Sequence, residues 1–495
     1  MGKYILAIDQ GTTSSRAMIF DLGAGALATA QKELSQSFPH PGWVEHDPEE
    51  IIRDVIDTCR QVMAQVGPKK QPCAIGITNQ RETTLVWDRK TGKTIYPAIV
   101  WQDRRTADLC ESLKAAGHED MISHKTGLLL DPYFSATKIA WILDNVAGAR
   151  ARAEAGELAF GTVDSFILWH LTGGAVHKTD VTNASRTLLY NIHQLEWDRA
   201  LLDLFNIPAA VLPEVCDCDS DFGLTKAGLF ENRLPITGMV GDQQAALVGQ
   251  NCLEKGNLKC TYGTGGFVMM NVGDKPVKSS HRLLSTIAYR LEGRTAYALE
   301  GSIFSAGSAI QWLRDGLGII SHAEESEELA ASVEDSGGVM VVPAFTGLGA
   351  PHWQADIQAA LFGVSRGTGR AEIIYATLES VALQTEDLLH AMKRDSGLTL
   401  TSLRVDGGMA ANKIFLKSLS DIIDLPLFKT EINEITALGA AIIAGIRMKE
   451  NSNINDLSTL YKYSKIASPG MVQEDREILL TKWQKAIQLA CDYKM

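Results

Sequence analysis

Two rhythms of apolar residues alternate along this chain. Short, mostly apolar runs predict strands at residues 4–8, 16–21, 74–78, 84–87, 95–101 and 236–240. A second set follows at 259–262, 267–271, 286–291, 295–299, 339–342 and 403–405. Longer segments with helical spacing predict helices over 48–65, 104–115, 136–146, 308–314, 372–394 and 411–423. The first of these opens with Asp47, then Pro48, Glu49 and Glu50, a capping residue followed by residues that suit a helix N-terminus. Glu292-Gly293 sits between two strand runs and reads as a hairpin turn. Strands and helices that alternate in this way indicate an α/β fold.

One pattern occurs twice. "IDQGTTSSRAMIF" (8–20) and "LKCTYGTGGFVMMN" (258–271) each place a Gly-Thr turn between two apolar runs, about 250 residues apart. They read as the opening hairpins of two related domains, 1–248 and 249–495, with a ligand cleft between them.

Composition narrows the function. The chain has 495 residues, 45 % hydrophobic and 21 % charged, which is ordinary for a globular protein. Its net charge of −12 is spread out and no basic block is interleaved with aromatics, so nucleic acid is not expected as a partner. Eight cysteines show no zinc-type spacing and read as reduced thiols. With no leader-like segment at the start, the expected location is the cytoplasm. The apolar stretch 437–446 is too short to cross a bilayer, so no membrane insertion is expected. The acidic run 322–334 reads as a solvated helix face.

The candidate chemistry follows from residue types. Gly11, Thr12, Thr13 and Ser14 offer backbone N–H groups and hydroxyls together, which suits phosphate oxygens; Arg16 adds positive charge. Asp9 would repel phosphate unless a cation lay between, which points to Mg²⁺. "LRVDGGMAAN" (403–412) ends a strand in two glycines, a flat backbone on which a base or ribose could lie. Arg81 and Glu82 together could bind a diol, with Trp101 and Tyr133 as walls. Asp242, between a strand and a helix, could accept a hydroxyl proton or cap the helix. The P-loop and dinucleotide-binding motifs are absent. Gly363–Gly367 matches a nucleophile elbow in spelling, yet no helix follows at once, so a loop is expected.

The motifs "DQGTTSSRA", "GWVEHDP", "ITNQRETT", "WQDRR", "DPYFSATK", "GDQQAAL", "YGTGGF" and "DGG" stand in an order that resembles the FGGY carbohydrate kinase family over nearly the whole chain. "ITNQRE" with "GDQQAAL" is similar to the branch of that family whose acceptor is glycerol. The resemblance implies two ribonuclease-H-like (actin-like ATPase) domains that close on their substrates. It implies ATP-dependent phosphorylation of glycerol to sn-glycerol 3-phosphate, with Mg²⁺. It places glycerol against Arg81, Glu82, Tyr133, Asp242 and Gln243, walled by Trp101 and Phe267. It places the phosphates against Thr12, Thr13, Ser14, Arg16 and Thr264, and the rest of the nucleotide against Gly307, Gln311, Gly408 and Asn412. Asp9 and Asp242 are implied at the metal, with Asp242 as the base. A homodimer or homotetramer is the expected assembly.

Departures from the family pattern carry information too. Some members bind fructose 1,6-bisphosphate through a small-residue loop; here "KAGLFENRLP" (226–235) has Leu229, Phe230 and Glu231, so that inhibition is not expected. Activation by histidine phosphorylation is not expected either, since 217–236 has no histidine. The competing functions are a kinase for a larger polyol or ketose, an actin-like ATPase that changes shape, and a phosphate-binding module without catalysis.

Overall fold

The computed structural model describes residues 4–23, 25–354, 357–448 and 462–493. Tyr4–Gln10 is the middle strand of a five-stranded sheet. It pairs antiparallel with Ser14–Asp21, which pairs antiparallel with Gly25–Glu33. On its other side it pairs parallel with Ala74–Asn79, which pairs parallel with Ile236–Gly241. The strand is covered on both faces, which accounts for its near-continuous apolar run.

The second sheet repeats this plan. Leu258–Tyr262 pairs antiparallel with Gly266–Gly273, which pairs antiparallel with Arg294–Ile303. It also pairs parallel with Leu403–Asp406, which pairs parallel with Leu427–Thr430. Leu284–Leu291 and Tyr463–Ala467 extend the two edges to seven strands. Strand order and sense match the first sheet over five strands, so the two Gly-Thr turns join equivalent hairpins. Each half has the ribonuclease-H-like core expected from the resemblance.

The two sheets share one core. Ile5, Ala7 and Val240 of the first half pack in the same cluster as Leu258, Cys260 and Val268 of the second. The helix Ile435–Ile446 joins them: it belongs to the second half yet lies against Ala74–Asn79 and Ile236–Gly241. Its sequence, "ITALGAAIIAGI", is small and apolar all round, as burial on every face requires. A Cβ on Gly439 would fall on the carbonyl oxygen of Ala245, far inside contact distance, and one on Gly76 would fall on that of Ala440. The backbones approach that closely only because these positions are glycine.

Most of the predicted elements form. The helix Pro48–Val66 starts at Asp47, whose side chain accepts from the Glu49 N–H at 2.9 Å. Glu292 and Gly293 both take positive φ in the turn that pairs Leu291 with Arg294. Two expectations need correction. The strand over 95–101 shrinks to Ala98–Ile99, because Pro97 has no N–H to give a ladder. The acidic run forms the helix Glu325–Ala330, whose Ser326 is buried and holds Asn412; it is part of a cavity wall, not only a solvated face. The apolar stretch at 437–446 is the joining helix. Residues 363–369 are a loop, as expected.

Gly439→Ala is expected to lower stability by roughly 3 kcal/mol, the scale of overpacking in a close-packed core. Urea unfolding would measure it, and an unchanged midpoint would show that the helix and Ala245 separate easily.

Candidate functional site

The site is built where strands of both sheets end. Ala74–Asn79 delivers Gln80, Arg81 and Glu82; Ile236–Gly241 delivers Asp242 at the start of the helix Asp242–Gly249. Gly241 leaves room for Arg81, since a Cβ there would lie 2.8 Å from the arginine's aliphatic carbons. Arg81 is 2 % exposed and its charge is shared out. Nε faces Asp242 Oδ1 at 3.1 Å, while Nη1 and Nη2 donate to Glu300 at 2.6 and 2.9 Å. Arg186 completes the lattice: Nε donates to Glu82 Oε1 at 2.7 Å and Nη2 to Glu300 Oε1 at 3.0 Å.

Bidentate guanidinium pairing of this kind is among the stronger buried interactions. It holds Glu300 ionised. Burial alone would raise that carboxyl, but Arg186 and Arg81 outweigh it and bring it down to about 2. Asp242 goes the other way: burial raises it, and Arg81 only partly offsets this.

Two aromatic residues lie close to these charges: the Tyr133 ring sits 6.0 Å from the Arg186 guanidinium. Trp101 and Tyr133 meet edge to face with ring centres 5.4 Å apart. The Trp101 indole N–H donates to Thr12 Oγ1 at 2.8 Å, which ties the pocket to the first Gly-Thr turn. Beneath Tyr133 lies Lys138, fully buried, whose ammonium donates to the Tyr133 carbonyl at 2.7 Å. Burial pushes Lys138 down to about 7. Gln243 Oε1 accepts from Lys259 at 2.5 Å, and Lys259 also donates to Thr261 at 3.0 Å. Phe267 sits opposite Thr261 on the adjoining strand, half-buried.

The first turn is closed by the Gly11 N–H donating to Ser14 at 2.9 Å. Thr13 is exposed, and Thr12 and Ser14 are half-exposed. Arg16 departs from expectation. It forms an ion pair with Glu434, at the start of the joining helix, and donates to Gln31 at 2.8 and 3.0 Å. Its charge is thus engaged within the protein.

The second turn opens into a cavity of about 600 Å³. Thr264, Gly307, Gln311, Gly408 and Asn412 all line it, together with Ile310, Leu378 and Met409. Ala306 and Ser308 N–H groups donate to the Thr264 carbonyl at 3.0 Å, which staples the turn to the helix Gly307–Gln311. Gly407 has φ 89°, and a Cβ there would collide with the Tyr262 carbonyl, so the strand can end flat beside this turn. Asn412 caps the helix Lys413–Ile423 through the Phe415 N–H at 2.9 Å, and its amide donates to Ser326 Oγ at 3.1 Å.

Asp9 lies at the end of the middle strand. Burial raises its carboxyl to about 6, with Asp242 adding to the shift and Arg16 opposing it. Two carboxylates that repel each other beside a phosphate turn suit a hard divalent cation. Among the described residues no group of three or more His, Cys, Asp or Glu is placed to hold a metal. Glu300, Arg186 and Lys259 were missed in sequence. Glu300 and Arg186 lie far along the chain from the residues they hold, and Lys259, though near Gln243 in sequence, carries no spacing that marks it. Among the described residues no helix is long and apolar enough to cross a membrane.

The FGGY carbohydrate kinase N-terminal domain matches residues 4–249, and the C-terminal domain of the same family matches 258–448. The chain is 56 % identical to a glycerol kinase of Rhodospirillum centenum, with 98 % of this chain and 97 % of that one covered. It is 54 % identical to glycerol kinase 1 of Pseudomonas aeruginosa over 99 % of each. Among solved structures, Plasmodium falciparum glycerol kinase with ADP superposes with a TM-score of 0.93 at 37 % identity, over 98 % of both chains. A xylulose kinase of Lactobacillus acidophilus shares the fold, with a TM-score of 0.87 at 20 % identity over 99 % of this chain and 97 % of that one.

Lys138 gives a pH test with a definite sign. A lysine whose folded pKa lies below its unfolded value of 10.5 sheds its proton on folding between about 7 and 10.5. The unfolded state then binds more protons, so stability relative to Lys138→Met should rise with pH across that window. Urea unfolding of both proteins at intervals from pH 7 to 10 measures it. Parallel curves would show that Lys138 titrates in its ordinary range.

Proposed function

Since the chain belongs to the FGGY family of carbohydrate kinases, we propose that it transfers the γ-phosphoryl group of ATP to glycerol, giving sn-glycerol 3-phosphate and ADP. One observation supports the reading: the buried Arg81 and Glu82 converge with Asp242 and Gln243, and the Tyr133 ring, paired with Trp101, lies beside the Arg186 that holds Glu82. A short polyol matches it, because its hydroxyls donate to carboxylates and accept from N–H groups while its C–H faces pack on rings.

Phosphoryl transfer asks for positioning and charge neutralisation more than covalent chemistry. Asp242 accepts the proton of the terminal hydroxyl as that oxygen bonds to the γ-phosphorus and the bond to the β-phosphate oxygen breaks. Arg81 Nε holds the carboxylate in place. Glu82, itself held by Arg186, accepts from a second hydroxyl. Thr12, Thr13 and Ser14 from one lobe and Thr264 from the other donate to phosphate oxygens. Gly307, Gln311, Gly408 and Asn412 receive the nucleoside. Arg16 joins the phosphate contacts only on exchanging Glu434 for phosphate. Asp9 and Asp242 are the residues that would hold Mg²⁺, which when bound neutralises charge on the β- and γ-phosphates. The halves 1–248 and 249–495 act as the two lobes of the cleft. A homodimer or homotetramer in the cytoplasm is the setting the family resemblance favours.

Coupled ADP release across glycerol, dihydroxyacetone, xylulose and gluconate tests the substrate. Glycerol is expected to give the largest kcat/KM, and a preference for xylulose or gluconate would refute the reading. Asp242→Asn should lower kcat about a hundredfold or more, the scale of general-base catalysis. Near-normal turnover in that variant would remove Asp242 from the chemistry. Fructose 1,6-bisphosphate is expected not to inhibit. Leu229 is buried and Arg60 donates to its carbonyl at 3.2 Å, so the 226–235 segment is a packed loop. Strong inhibition at low bisphosphate concentration would contradict that.

A further inference from the structure

The acceptor pocket is carried by the first half of the chain, yet two of its residues are held by charges from the second. Glu300 takes both η-nitrogens of Arg81, and Lys259 takes the side-chain oxygen of Gln243. The two charges are related by the sheet. Lys259 pairs with Met269, and Met269 pairs with Glu300, so all three lie on one rung across three strands. Directly paired residues share a face of a sheet. Met269, between the two charges, packs with Leu247 of the helix that Asp242 begins. The next rung on that face is Thr261, Phe267 and Ser302. It holds the expected wall residue Phe267 and the Thr261 hydroxyl that accepts from Lys259. One face of the second sheet is therefore turned toward the acceptor residues of the first lobe.

Both charges are out of water: Glu300 is 2 % exposed and Lys259 is 0 % exposed. A buried charge costs several kcal/mol unless paired, and packing alone would be served as well by apolar residues. Their partners include Arg81 and Gln243, two of the side chains expected to contact the acceptor. Glu300 also fixes Arg186, and through it Glu82.

We propose that Glu300 and Lys259 are positioning residues that make the acceptor pocket a joint property of both lobes. The inference rests on the reading of the pocket as the glycerol site. Glu300 sets the rotation of the Arg81 guanidinium, and Lys259 sets the amide of Gln243 with its oxygen turned away from the pocket and its –NH₂ left for a substrate hydroxyl. Neither residue touches substrate.

Steady-state kinetics of the full chain, with glycerol and ATP as probes, tests this on Glu300→Gln and Lys259→Met. Each change should raise the glycerol KM about tenfold, with the ATP KM held within about twofold. Glu300→Asp, which keeps the charge, should recover part of the loss. A merely structural role predicts something else: fewer active molecules, so a lower kcat with both KM values unchanged, and that result overturns the inference. Lys259→Met, which removes no guanidinium partner, decides the question by itself should Glu300→Gln fail to fold. A wild-type chain that does not phosphorylate glycerol would overturn the functional reading, and this inference with it. A wild-type chain that does so, with variants of unchanged KM, overturns this inference alone.

Discussion

The site exists because a small number of buried charges cannot be left alone. Arg81 and Arg186 face Glu82, Glu300 and Asp242 in a region where four of the five side chains are nearly sealed from water. An unpaired ion there would cost several kcal/mol, so each must find a partner, and the partners lie on both halves of the chain. Arg81 and Glu82 are adjacent in sequence but do not satisfy each other; their nearest approach is 3.7 Å. Each is claimed instead by a distant residue, Arg81 by Glu300 and Glu82 by Arg186.

The lobes are tied on the other side by a different device, made without charge. The helix Ile435–Ile446 offers a surface of glycine and alanine, so its backbone sits almost against the first sheet and the helix Asp242–Gly249. Such close packing resists change of distance far more than sliding, because small side chains raise low ridges. The same helix starts at Glu434, which pairs with Arg16 on the strand after the first Gly-Thr turn. Phosphate arriving at that turn would compete with Glu434 for Arg16.

The parts legible in sequence were those whose physics is local. The Gly-Thr turns, the Asp47 cap and the Glu292-Gly293 turn need only neighbouring residues, and all appear where they were expected. The internal repeat was legible because a sheet core uses its sequence period directly. What could not be read was set by long-range pairing. Glu300 looks like one polar residue in a strand, and only its register opposite Met269 turns it toward Arg81. Arg16 looked available for phosphate because Glu434, far along the chain, was not visible as its partner. The acidic run looked solvated because Ser326, the residue that holds Asn412, is neither acidic nor apolar.

The position of Asp242 brings these strands of argument together. A carboxylate that must take a proton has to be ionised before the reaction and yet not too weak a base. Two N–H groups favour its charged form, the Gln243 backbone at 2.7 Å and Arg81 Nε at 3.1 Å. Glu300 takes up the other end of the guanidinium; burial raises the Asp242 carboxyl, Arg81 opposes that and Glu82 adds to it. Arginine suits this place where lysine would not, since its planar fork can serve two carboxylates at opposite ends in fixed geometry.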